Sequence, residues 1–262
     1  MKTRIILLFI AALLMQFTTV SADNYTDGII KLMDNEALST FNTEMVEKMS
    51  QTSAFDADYF KSQFKTDIAE WMADHYRKNM PENEFNEMVS FFMQPEVLEI
   101  QKKILSAVSS SQGGAEVSQQ LLPRVQALVM GGPVEDLQEP DCDPELKKEI
   151  LRWLDDNCTT EGMKAAIAAA KNIVGDNALA NATEDQKVKA TDLIDRVFSF
   201  FERNMTQLLM MSMVGKVDLH DLQVLNSIEK EPFFENYKKT NLSMASDLSI
   251  FMSQIITHMK KK

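Results

Sequence analysis

Residues 59–108 read YFKSQFKTDIAEWMADHYRKNMPENEFNEMVSFFMQPEVLEIQKKILSAV, and two prolines divide them into three helices. Before Pro81, the residues Phe60, Phe64, Ile68, Trp71, Met72, His75 and Tyr76 recur at spacings of three and four. That spacing draws one apolar stripe over about four turns, wide enough to pack against several partners. Pro81 suits the first turn of the next helix, where its missing N–H has no helical acceptor to meet. Glu82 and Glu84 then fall in a first turn that favours negative charge, and Phe85, Met88, Val89 and Phe92 make the buried face. Pro95 repeats the device, with Glu96 behind it and Val97, Ile100, Ile104 and Val108 on one side.

The rest of the composition agrees with helix. Of 262 residues only 8 are Gly and 7 are Pro, so turn formers are scarce, while Glu, Lys, Leu, Met and Ala abound. The expected fold class is all-α, in two tandem helical modules. Lys2 and Arg4 precede an apolar run from Ile5 to Phe17, and Val20-Ser21-Ala22 fits a small-residue cleavage site. This reads as a secretory signal peptide cleaved after Ala22. A signal anchor is the alternative, but the run is short of the roughly 20 residues a spanning helix needs. No Cys follows the site to carry a lipid. The expectation is a bacterial protein, periplasmic or secreted, with no stable membrane insertion after cleavage. The net charge of −12 becomes −14 once Lys2 and Arg4 are removed. An acidic chain with no basic stripe argues against nucleic acid and against docking on anionic lipid.

Along the chain, residues 23–53 carry an apolar helical face with a break, and Asp56 is a candidate N-cap for the helix that follows. Residues 109–114 (SSSQGG) read as a loop, followed by a shorter helix over about 115–130 that Pro123 starts or kinks. Residues 131–144 (GGPVEDLQEPDCDP) make the best linker, which separates modules at 23–130 and 145–262. The second module opens with a helix at 145–156, then an Ala-rich helix from Thr159 to Val174. A loop from Gly175 to Thr183 follows, then a long helix to about Val214 ended by Gly215. Asp218 caps the next helix, and Pro232 splits it from a terminal helix reaching about Met259.

Sliding Pro95 onto Pro232, an offset of 137, brings most apolar positions of the two halves into register. Phe64 meets Phe201, Met72 meets Leu209, Tyr76 meets Met213, Phe85 meets Leu222 and Ile100 meets Tyr237. Three core positions fail: Val89 meets Asn226, Phe92 meets Glu229 and Ile104 meets Asn241. The pattern predicts a degenerate internal repeat. Over Tyr76 to Ile100 (YRKNMPENEFNEMVSFFMQPEVLEI) the residues become more specific, with an aromatic, a turn, an acidic residue beside an apolar one, and F-F-x-x-P before an amphipathic helix. The chain here resembles the domain of unknown function 2059 family, strongest over residues 59–112 and faint at 195–250. The resemblance implies small all-helical extracytoplasmic proteins with no established activity, so it implies no catalytic residues. The family has Gly two residues after the proline, where this chain has Val97 and, in its second copy, Phe234.

Little in the sequence points to chemistry. His75, His220 and His258 stand far apart, and zincin, nucleophile-elbow and phosphate-loop motifs are missing. His75 lies on the core side of its helix beside Trp71 and Tyr76, and His220 reads as exposed. The carboxylate pairs Asp155/Asp156 and Glu184/Asp185 read as solvated faces. Met is abundant at 18, with Met210, Met211 and Met213 the dense cluster. Its readings are core filling, an adaptable binding surface or a Cu(I) site. Cys142 and Cys158 flank the helix at 145–156, which is about 18 Å long, so a bond between them needs both flanks folded back. They are read as unpaired, and not as a zinc site. No metal, cofactor or catalytic residue is expected. The chain is read as a non-enzymatic helical module that binds another envelope protein. The alternative is a carrier for an apolar small molecule in a cleft lined by Trp71, Met72, His75 and Phe92. A hydrolase is the remote third.

Overall fold

A computed structural model describes residues 24–35, 63–109, 111–157, 159–179 and 183–259. Among them the chain is all-α, with eleven α-helices, one 3-10 turn and no strand. Three helices come from the stretch between the prolines: α2 (Phe64–Asn79), α3 (Glu82–Phe92) and α4 (Pro95–Ser109), preceded by α1 (Asn24–Met33). Pro95 is the first residue of α4, the position its missing N–H suits, while Pro81 stands one place earlier than expected, as the N-cap of α3. Then come α5 (Ser111–Val129), α6 (Pro144–Asp156), α7 (Thr159–Leu179), α8 (Glu184–Arg203), α9 (Met205–Met213) and α10 (Leu219–Asn226). The 3-10 turn Ser227–Lys230 leads into the long terminal helix α11 (Phe234–Met259). The signal peptide, the rest of the segment read as helix from Asp23 to Ser53, the Asp56 cap and Cys158 lie outside the described residues. Cys142 forms no disulfide.

Side-chain caps set several helix starts. Asp143 accepts from the Glu145 and Leu146 N–H groups ahead of Pro144, which stands in the first turn of α6. Thr183 with Gln186, and Asp218 with Asp221, form reciprocal capping boxes on α8 and α10. Gly215 turns the chain between α9 and α10 at φ 78°, a left-handed conformation that favours glycine.

Three readings from sequence are corrected. The loop at 109–114 gives way to helix, with α4 continuing through Ser109 and α5 starting at Ser111. Its serines and glycines are weak helix formers, costing about 1 kcal/mol per Gly. The packing of α5 on α4, α8 and α9 outweighs that cost. For the same reason α7 runs on through Gly175 to Leu179, pressed between α8 and α11. The long helix expected to reach Val214 is broken at Asn204, which separates α8 from α9. Asn204 is fully buried. Its side chain accepts the Leu137 N–H and donates to Asp136 Oδ1 at 2.9 Å and to the Phe200 carbonyl at 2.8 Å. It thus anchors the extended segment after α5 while ending α8.

The buried apolar residues form one cluster that draws on both halves of the chain, from Ile29 to Ile255. The halves meet by exchange. Helix α11 packs on α2, and α4 packs on α9. Helix α1 covers α2 and α3, and α6 covers α9 and α10. At the offset of 137, Glu84 in α3 corresponds to Asp221 in α10. Each is bridged from the other half, Glu84 by Asn236 at 2.7 Å and Asp221 by Lys103 at 2.6 Å.

Two positions make the packing testable. A Cβ on Gly28 would lie 2.6 Å from Phe85 Cε1 and 3.1 Å from Val89 Cγ2, both rigid side chains under α1. Gly28→Ala should lose about 1–3 kcal/mol to overpacking and recover about 1 from helix propensity. The expected result is a net drop in urea-melt stability. Asn204→Ala leaves the buried Leu137 N–H without its acceptor and should cost about 1–3 kcal/mol. Hydrogen exchange should quicken first at residues 134–138.

Candidate functional site

Helix α11 carries two polar seams through the apolar core. The first faces α2 and contains the histidine singled out from the sequence. His75 is buried, with Nδ1 3.0 Å from Ser243 Oγ and Nε2 3.7 Å from Asp247 Oδ2. Ser243 and Asp247 stand one turn apart on α11, so one helix face presents both to the same ring. Trp71 meets His75 edge-on at 5.1 Å and stacks on Phe251 of α11 at 4.5 Å. Beside them the Tyr76 hydroxyl reaches Asn241 Oδ1 at 3.5 Å, and burial pushes the Tyr76 phenol well above its ordinary value. Burial likewise lowers the His75 pKa below its ordinary 6.5, against the opposing pull of Asp247. Burial thus favours the neutral ring.

Met72 and Phe92, grouped with Trp71 and His75 in the sequence reading, are buried in the common core. Phe92 packs on Phe91 and Tyr237, while the partners of His75 lie on α11. Met210 and Met213 are buried and Met211 packs against the same core. His220 is exposed, 3.2 Å from Glu96.

The second seam joins α6, α10, the 3-10 turn and α11. Arg152 makes a two-point bond to Glu229 and lies 3.3 Å from Glu149. Asn226 donates to Glu149 Oε2 at 2.7 Å and to its backbone carbonyl at 3.0 Å. Lys238 reaches Asp155 Oδ2 at 3.0 Å and Asp156 Oδ1 at 3.2 Å. The Tyr237 hydroxyl donates to Asn157 Oδ1 at 2.6 Å. Asp156 corrects the reading of its pair as a solvated face. Its side chain is only 10% exposed, whereas Asp155 beside it is open to water. The reason is position: Asp156 closes α6 on the side covered by α11. Glu184 and Asp185 do face solvent, in the first turn of α8.

Sequence reasoning missed Asp156, Glu229, Asn226, Ser243 and Asp247, yet a signal was available. The three positions where the internal register fails, Asn226, Glu229 and Asn241, are all polar residues standing where the other half is apolar, and all three belong to these seams. A polar residue in an otherwise apolar helical stripe needs a buried partner.

Ser243, His75 and Asp247 superficially suggest a nucleophile, a base and an orienting acid. Acyl transfer also needs N–H donors aimed at the developing oxyanion. Ser243 sits in the middle of α11, where main-chain N–H groups are engaged in the helix. The seam ties α2 to α11. Among the described residues no group of three or more His, Cys, Asp or Glu could hold a metal ion, and no helix is long and apolar enough to cross a membrane. These features define an all-α protein whose halves share one apolar core and are joined by polar contacts as well. Compared with models of protein families, with curated proteins and with solved structures, the chain matches none.

The lowered His75 pKa sets a sign. Because the folded state binds this proton less tightly than the unfolded chain, the stability linked to it is present above pH 6.5 and is lost as pH falls through the lowered value. In an NMR titration the His75 ring should protonate only below pH 6.5. Ser243→Ala should weaken the α2–α11 contact by about 1 kcal/mol in urea melts.

Proposed function

We propose that this protein is a non-enzymatic, extracytoplasmic helical interaction module that binds another envelope protein through the outer face of α11. The observation that carries this reading is the exposure of Leu242 and Ile250, at 53% and 61%. They stand two turns apart with Ser246 between them, on an outward stripe continued by Glu235 and Lys239. Apolar side chains at such spacing are the anchors by which one helix engages another. The extracytoplasmic assignment rests on the signal-peptide pattern of residues 1–22, and kinship with the domain of unknown function 2059 family on the motif at Tyr76–Ile100. We read the two halves as copies of one module. The common start of α3 and α10, the exchange of α4 and α11, and the matching bridges to Glu84 and Asp221 support that reading.

The test is capture from an envelope extract with the mature chain and with Leu242→Glu/Ile250→Glu, followed by mass spectrometry of proteins and lipids. Both substitutions are on the surface and should change stability by less than about 0.5 kcal/mol each. One protein should co-purify with the wild type and be lost with the variant. Recovery of lipid alone would replace this reading with the apolar-ligand carrier. Labelling of Ser243 by a serine-directed fluorophosphonate would replace it with a hydrolase.

A further inference from the structure

We propose that Asp156 and Glu229 form a proton-operated latch that fastens the 3-10 turn and the head of α11 to the end of α6. The pair stands where these three elements meet. Asp156 is the last residue of α6, where the unpaired carbonyls of the helix end disfavour a second negative charge. The network it belongs to holds the carboxylates of Glu149, Asp155 and Glu229 and the cations Arg152 and Lys238. Arg152 is engaged by Glu229 and Glu149, and Lys238 is divided between Asp155 and Asp156 Oδ1. Asp156 Oδ2 is buried and no donor reaches it. The Glu229 carboxylate is the hydrogen-bond neighbour of Asp156, and a proton shared between the two acids removes one uncompensated charge.

The other elements packed here leave this balance unchanged. Helix α9 carries no charged residue, and α10 presents the neutral Asn226, its Asp221 being paired with Lys103. On α7, Glu161 and Lys164 are exposed and Lys171 pairs with Asp195. Tyr237 of α11 is committed to Asn157. Burial, then the neighbouring Glu229, push the Asp156 carboxyl up to about 6 against the pull of Lys238, while Arg152 holds Glu229 below its ordinary value. The folded state thus binds the Asp156 proton more tightly than the unfolded chain does. The latch is closed below about 6 and is released as pH rises through that value, and the stability it lends is complete below the ordinary carboxylate value of 3.8. This sign is opposite to that of His75, so the readout must be local.

The test uses the full chain. The Asp156 carboxyl is followed by carbon NMR, and hydrogen exchange is measured at residues 153–157 and 227–231 at about pH 5 and pH 7.5, corrected for intrinsic rates. Asp156 should titrate near 6. Protection of both segments should fall about tenfold between the two conditions. Asp156→Asn, which keeps the shape of the protonated acid, should stay protected at both. Titration of Asp156 at an ordinary carboxylate value, or wild-type protection that does not change, would overturn the latch. So would an equal loss in Asp156→Asn. Should that variant not fold, the wild-type titration and exchange decide alone.

Discussion

Helix α11 has to bury several faces at once, and the rest of the molecule is arranged around that demand. One side packs on α7 and another on α2, while its first turns meet the 3-10 turn. A helix so enclosed has little face left for solvent, so polar residues along it either line the narrow outer stripe or need buried partners. Ser243 and Asn241 find theirs on α2, Tyr237 and Lys238 at the end of α6. The result is a core in which apolar burial supplies most of the driving force and polar seams fix how α11 is rotated and how far it slides. Apolar contacts alone define such registration poorly, because they are non-directional.

What could be read in the sequence follows from the range of the physics involved. Pro81, Pro95 and the Asp218 cap act within a few residues of themselves, so their effects were legible. The apolar faces of α2, α3 and α4 were legible too, because helical periodicity reports which side is buried without saying what covers it. The break at Asn204 was not legible, since it depends on the N–H of Leu137, 67 residues earlier. The continuation of helix through Gly175, and its start at Ser111, were likewise hidden. Local propensity opposes both, and only packing against distant helices reverses the balance.

The polar seams show the same division. His75 could be placed on a core face from its spacing to Trp71 and Tyr76, but its partners Ser243 and Asp247 lie on a helix about 170 residues away. The buried carboxylate of Asp156 was masked by its neighbour Asp155, because two adjacent acids at a helix end look alike in sequence. Which of them points inward is decided by the helix that covers the end. The lapses in register between the halves were the better guide, since they single out residues whose chemistry does not suit their position.

The exchange of helices also bears on how the chain is made. Helix α2 emerges from the ribosome long before α11, which holds the other half of its interface, and α4 likewise precedes α9. The first half therefore leaves the ribosome with Trp71 and His75 uncovered on that face, and closing it requires contacts between distant parts of the chain. Loops of that length fold slowly and expose aggregation-prone surface while they wait. The α2–α11 face therefore closes only once α11 has been synthesised.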